Sequence, residues 1–249
     1  MNSLVSIITP NYNASKYIFE TIQSVINQTY ENWEMIIIDD LSTDNSVEII
    51  KQFQKKDDRI QLIELSKNSG PAVARNKGIT YCKGKYLTFI DADDLWLPNF
   101  IETSLGFVEN SEGFVFASYK RLDEDLKPKH KNFIVPKKVN YTDILKSNSI
   151  SCLTAFIDIE KLEKLKMPEI KYRQDMGLWL KYLRKVNYAY GIIKPLAIYR
   201  IRKQSHSRNK FNLIKHQWLF YREVALLSRV KSIYYFFLWA VYGIKKYYG

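Results

Sequence analysis

Four short, nearly unbroken apolar runs, each followed by a helix-length or turn-forming segment, constrain this chain more than any other feature of it. Val5-Ser6-Ile7-Ile8-Thr9 stops at Pro10, and Met35-Ile36-Ile37-Ile38 stops at Asp39-Asp40. Ile60 to Leu65 is the third run, and Tyr86-Leu87-Thr88-Phe89-Ile90 stops at Asp91-Ala92-Asp93-Asp94. Runs this short, β-branched and apolar without alternation fit strands buried on both faces. Between them Ile18, Ile22, Val25 and Ile26 recur at helical spacing, and Ala72 to Ile79 reads as another helix. Asn45 with Glu48 three residues on predicts a capping-box start for a helix carrying Val47, Ile50 and Phe53. The order β-α-β-α predicts an α/β fold, a mostly parallel sheet flanked by helices.

Ligands of such sheets bind beyond the carboxyl ends of the strands. There the sequence sets Asp39, Asp40, Asp91, Asp93 and Asp94. Carboxylates gathered at one rim repel one another unless a cation or a donor-rich ligand lies among them. Asp91 and Asp93, one residue apart, suit a hard cation that keeps other positions for water and phosphate. Asp39 and Asp40 also fit as loop residues that cap a following helix, and Asp94 is expected to cap a helix beginning near Leu97-Pro98.

Charge divides the chain. Residues 194–249 hold 12 Lys or Arg against the single acid Glu223, whereas residues 1–193 are almost balanced, with 26 basic and 25 acidic side chains. A general polyanion binder would spread its charge over its main face, so two regions with two tasks are expected. From Phe211 onward the pattern is helical, with Trp, Tyr and Phe beside Lys and Arg and an apolar stretch, Ile233 to Ile244, too short to span a bilayer. That describes either an interfacial helix on a membrane or helices packed on the body. Nucleic acid is not expected, because the sequence has no RRM, KH, zinc-finger or helix-turn-helix signature. Two cysteines, Cys82 and Cys152, cannot make a disulfide scaffold, and the first residues make a poor signal peptide, so a cytoplasmic location is expected.

Four motifs then occur in order: Val5 to Asn13, Ile38-Asp39-Asp40-Leu41-Ser42-Thr43-Asp44, Asn68-Ser69-Gly70-Pro71-Ala72-Val73-Ala74-Arg75-Asn76-Lys77-Gly78, and Asp91-Ala92-Asp93-Asp94. With this spacing the chain resembles the family 2 inverting glycosyltransferases of the GT-A fold. Tyr172-Arg173-Gln174-Asp175 and Tyr199 to Ser207 extend the resemblance to the bacterial transferases of O-antigen, capsule and teichuronic-acid assembly. The resemblance implies that Tyr12, beside Pro10, packs on the uracil of a UDP-sugar, and that Asp39, or alternatively Asp40, accepts a hydrogen bond from the uracil imide. It implies that Arg75 faces the nucleotide, that Asp91 contacts the ribose and shares the metal, and that Asp93 binds Mn²⁺ or Mg²⁺ across the diphosphate. Asp175 corresponds to the general base. Relatives often carry Glu-Asp where this chain has Gln174-Asp175, so the second carboxylate is kept and the first is neutral. Relatives often show a His where this chain has Arg202. No third protein ligand to the metal is therefore expected, and Arg200, Arg202 and Lys203 are read as diphosphate contacts on a closing loop.

These readings define a catalytic unit over 1–210, with a nucleotide-sugar half (1–100) and an acceptor half (101–210), followed by basic aromatic helices over 211–249. In the acceptor half Phe114 to Tyr119 and Ser151 to Ile157 read as strands, joined by a basic loop around Lys127 to Lys138 facing the acceptor. The expected activity is metal-dependent transfer of a hexose from a UDP-sugar to a polyprenyl-diphosphate-linked saccharide, forming a β-linkage, on the inner face of the cell membrane. The rival is a non-catalytic nucleotide- or polyanion-binding module, which has no need for a distant Asp175 beside an intact Asp91/Asp93 pair.

Overall fold

The computed structural model describes residues 3–202 and 210–248, with side chains described for all but 210–213 and 244–248 of these. The first half alternates strands and helices: β1 (Val5–Asn11), α1 (Ile18–Ile26), β2 (Trp33–Asp39), α2 (Ser46–Gln54), β3 (Ile60–Glu64), α3 (Pro71–Tyr81) and β4 (Tyr86–Phe89). β5 (Leu95–Trp96), α4 (Phe100–Glu109), β6 (Phe114–Asp123), β7 (Pro128–Phe133), β8 (Lys138–Val139) and α5 (Tyr141–Lys146) follow. Then come β9 (Phe156–Asp158), α6 (Ile159–Leu162), α7 (Gln174–Tyr182), β10 (Ala189–Ile201), α8 (Lys210–Leu219), a π-helical turn (Phe220–Val224) and α9 (Arg229–Tyr248).

All the strands belong to one sheet, ordered β3-β2-β1-β4-β9-β6-β10-β5, with β7 on β6 and β8 on β10. β3, β2, β1 and β4 are parallel, β9 runs antiparallel to β4 and β6, and β6 and β10 are parallel again. The α/β expectation therefore holds, with a parallel first half and a mixed second half. Period-two alternation splits the core over the two faces. Val5, Ile7, Met35 and Ile37 pack with Ile18, Ile22 and Phe100 on one side, and Ile8, Ile36 and Ile38 with Ala74, Phe89 and Trp179 on the other.

Several local expectations are corrected. Asn45 stands at the N-cap of α2 but its side chain makes no cap hydrogen bond. Asp44 does that work, accepting from Ser46 N at 3.0 Å and from Ser15 N at 2.9 Å, which ties the two rim loops together. The segment 151–157 divides into a 3₁₀ turn (Cys152–Thr154) and β9. The basic loop is largely strand β7, hydrogen-bonded to β6. At the other end Phe220, Tyr221 and Ala225 are buried in the core, and Tyr221 Oη donates to Leu145 O at 2.6 Å. α9 nevertheless leaves Val230 (77%), Ile233 (61%), Tyr234 (57%) and Phe237 (66%) exposed. Among the described residues no helix is long and apolar enough to cross a membrane.

Candidate active site

The register Asn11↔Asp39 brings the ends of β1 and β2 to the same level, and Asp91 follows β4 two residues after Phe89, whose partner on β1 is Ile8. At this rim Asp39 is 2% exposed and accepts from Asn11 Nδ2 at 2.6 Å, Ser42 N at 2.9 Å and Ser42 Oγ at 2.5 Å. Asp40 accepts from Ser69 N and Gly70 N, both at 2.7 Å, and so holds the turn into α3. That turn needs glycine, because Gly70 adopts φ +85°. Pro10 is partly buried, whereas Tyr12 at the mouth of the rim is 53% exposed, presenting a ring to solvent.

α3 carries Arg75 beneath Asp91. The Arg75 Nη2 to Asp91 Oδ1 distance is 2.5 Å, and the guanidinium is nearly buried. Burial works against its charge, but Asp91, with Cys152 and Asp175 nearby, outweighs that and raises its pKa. The Cys152 thiol beside it is pushed up by burial, so it is not a nucleophile at working pH.

Asp93 pairs with Arg202, Oδ2 to Nε at 2.7 Å. Burial, and then the charge of Asp91, raise the Asp93 carboxyl above its ordinary value against the pull of Arg202. Asp94 is raised further, by burial and by Asp93 and Asp91. Asp94 does not cap α4, whose N-cap position is Asn99. It accepts instead from Arg200 N at 2.8 Å, across the sheet. Nor is Arg200 a diphosphate contact: at 4% exposure its guanidinium is committed to Glu20 (Nη2 to Oε2, 2.5 Å) and to the carbonyls of Asp93 and Glu124. Lys203 and His206 lie outside the described residues.

Asp175 comes from a separate element, in the first turn of α7, after Arg173 at the N-cap takes a left-handed conformation (φ 63°). It is partly buried, and burial raises its pKa despite Arg75 and Arg173. Asn148 Nδ2 lies 3.4 Å from Asp175 Oδ2. A cavity of about 330 Å³ is lined by Arg75, Asp91, Asp94, Asp175 and Asn148, with Tyr119, Phe133 and Tyr199 also lining it. Arg75, Asp91 and Asp175, which lie far apart in sequence, thus share one chamber. Tyr12, Asp39 and Asp40 stand along the rim outside it.

Sequence reasoning did not single out Asn148 or the three rings. Tyr199 lay inside a motif already noticed, but Asn148 follows α5 in a segment with no local signal, and Tyr119 and Phe133 become neighbours only through the β6–β7 pairing.

The oxygen donors of Asp91 and Asp93 suit a hard divalent cation. Among the described residues no group of three or more His, Cys, Asp or Glu could enclose a metal. Phosphate oxygens and water would have to complete the coordination of any cation held by this pair.

The glycosyl transferase family 2 model matches residues 6–165. The chain is 42% identical over 244 residues to the Bacillus subtilis protein named as the teichuronic acid biosynthesis glycosyltransferase TuaG, covering 98% of this chain and 97% of that one. It is 34% identical to the Escherichia coli UDP-Glc:α-D-GlcNAc-diphosphoundecaprenol β-1,3-glucosyltransferase WfgD, covering 98% of this chain and 94% of WfgD. Among solved structures, S. aureus TarS 1–349 in complex with UDP-GlcNAc superposes with a TM-score of 0.73 at 19% identity, over 95% of this chain and 71% of that one. That likeness concerns the fold, and it is the GT-A arrangement expected from the motifs. From the matching segment and from relatives aligned nearly end to end, the chain belongs to glycosyl transferase family 2.

Proposed function

We propose that this transferase moves a hexose, with inversion, from a UDP-sugar to the saccharide of a polyprenyl-diphosphate-linked intermediate in bacterial surface polysaccharide assembly. The observation that carries the reading is a single one: Asp175 lines the same cavity of about 330 Å³ as the Arg75–Asp91 pair. An in-line displacement needs its base on the side of the sugar away from the leaving diphosphate, a place that Asp175, carried by α7 and not by the loop after β4, would take. UDP as the nucleotide is supported by the activity for which WfgD is named and by the ligand of TarS.

In this mechanism Tyr12 packs on the uracil, and Asp39 or Asp40 accepts from its imide. Asp91 contacts the ribose, and Arg75 and Arg202 face the diphosphate. Asp93 with Asp91 would hold Mn²⁺ or Mg²⁺, which when bound supplies positive charge to the departing diphosphate. The acceptor oxygen attacks the anomeric carbon as its bond to the phosphate oxygen breaks. Asp175 takes the hydroxyl proton, and the α-linked donor becomes a β-linked product. A carboxyl raised by burial is a better proton acceptor than an ordinary aspartate.

The exposed stripe of Val230, Ile233, Tyr234 and Phe237 on a helix with basic neighbours supports a peripheral seat on the inner membrane face, where such an acceptor would lie. The membrane-facing part would then be α9, while Phe220, Tyr221 and Ala225, which the sequence grouped with a separate 211–249 segment, belong with the catalytic unit because they are buried in its core. A screen of UDP-sugars for UDP release, with and without Mn²⁺ or Mg²⁺, tests the reading. Release from one of them that requires the metal and rises with a lipid-linked saccharide is expected.

A further inference from the structure

The second half of the site holds an aromatic wall that the transfer chemistry leaves without a task. Tyr119 on β6 stacks on Phe133 of the neighbouring β7, with centroids 5.0 Å apart and planes 21° apart. Tyr119 also meets Tyr199 on β10, at 6.0 Å and 54°. All three line the same cavity as Asp175 and Asn148. Tyr199 is 38% exposed and Tyr119 and Phe133 are partly buried, so the rings present surface to the chamber while anchored from behind. Burial pushes the Tyr199 hydroxyl up to about 12 and raises that of Tyr119 as well, which keeps both rings neutral.

A pyranose has one face of C–H groups and an edge of hydroxyls. Clustered rings with an amide and a carboxylate in the same cavity are complementary to it. With its diphosphate near Asp91, the donor sugar of the proposed reaction would reach only about one ring away. Tyr199 directly precedes Arg200, whose backbone N–H donates to Asp94, and this sets its ring beside the acids. Phe133 stands beyond Tyr119, on a hairpin whose other residues, Pro128 to Asn132, are exposed and largely basic. A hairpin arm open to solvent admits a ligand longer than one sugar.

Resting on the proposed function, we infer that Phe133 and Tyr119 form the acceptor subsite, a platform on which the terminal sugar of the acceptor stacks so that its hydroxyl meets Asp175. Phe133 is a specificity-determining residue for the acceptor and has no part in donor binding.

The test uses the full chain, a UDP-sugar donor and a short-chain polyprenyl-diphosphate-linked N-acetylglucosamine. Phe133→Ala should raise the acceptor KM by about tenfold or more. Donor KM and acceptor-free UDP release should stay within about twofold of wild type, and Phe133→Tyr should restore the acceptor KM. An unchanged acceptor KM, or a donor KM rising with it, overturns the subsite. A second readout does not depend on turnover: saturation-transfer NMR with methyl α-N-acetylglucosaminide in the presence of UDP. Transfer to the sugar in wild type that is lost in Phe133→Ala is expected, and its absence from wild type overturns the subsite. Failure of every UDP-sugar to release UDP would instead contradict the proposed function, while the NMR readout still decides whether this wall holds a sugar.

Discussion

Asp93 and Asp175 are two partly buried acids raised by their surroundings, but their environments assign them opposite work. Asp93 lies with Asp91 and under Arg202, in a cluster that an added cation would relieve. Asp93→Asn removes a charged ligand and almost no volume, so most activity should vanish with the thermal melting curve little changed, as calorimetry would check. Full activity of that variant, or of wild type in excess EDTA, would count against a metal. Asp175 is raised by burial, with Met176 N–H, Arg75 and Arg173 pulling it down and Asp91 adding only a minor push. Asp175→Asn should lower turnover by about 10² or more with UDP affinity nearly constant, measured by initial rates and titration calorimetry. The pH dependence has a definite sign. The base works ionised, so activity falls as pH drops through its pKa, and burial puts that limb above the 3.8 of an ordinary aspartate. An acid limb at or below that value would separate Asp175 from the proton transfer.

Elements defined by local pattern were legible in the sequence, and those defined by distant partners were not. The runs of β1, β2 and β4 announced themselves because each is buried on both faces and stops at a proline or an acid, whereas β3, at the sheet edge, is only half-buried and showed itself by its apolar run. β7 was read as loop because its residues are polar and exposed, so its conformation comes from hydrogen bonding to β6 and not from its own sequence. β10 is interrupted by Gly191 and Pro195 and changes register twice around Pro195, which hides its strand character. Asp94 was assigned to a helix cap because its true partner, Arg200, is 106 residues away. The motif ending in Arg75-Asn76-Lys77-Gly78 also divides by element. Arg75 serves the site, whereas Asn76 exchanges hydrogen bonds with Met167 N (2.7 Å) and O (2.9 Å), tying α3 to the segment before α7. A Cβ on Gly78 would lie 2.5 Å from Ile8 Cγ2, so only glycine lets α3 sit this close to β1. Gly78→Ala should cost about 1–3 kcal/mol by overpacking, and Asn76→Ala about 1–3 kcal/mol by stranding buried Met167 groups, both read from denaturant midpoints.

Across the whole molecule a nearly neutral catalytic body carries a basic end whose first turns are part of the core. Truncation near Asn209 would therefore strip Phe220 and Tyr221 from the interior and is not a clean probe of the tail. Substitution on the outer face of α9 is cleaner. Ile233→Gln with Phe237→Gln should weaken sedimentation with anionic vesicles by about tenfold or more and leave UDP release unchanged, while salt weakens the wild type only in part. Equal sedimentation of both proteins would make α9 a packing element alone. The central claim, that the Asp91/Asp93 pair and Asp175 together perform inverting sugar transfer, meets its most direct test in the anomeric configuration of the product. With an α-linked UDP-hexose, a divalent cation and a lipid-linked saccharide, NMR of the product should show a β-linkage formed by wild type and almost none by Asp175→Asn. An α-linked product, or a β-linked product formed at the wild-type rate by that variant, would contradict it.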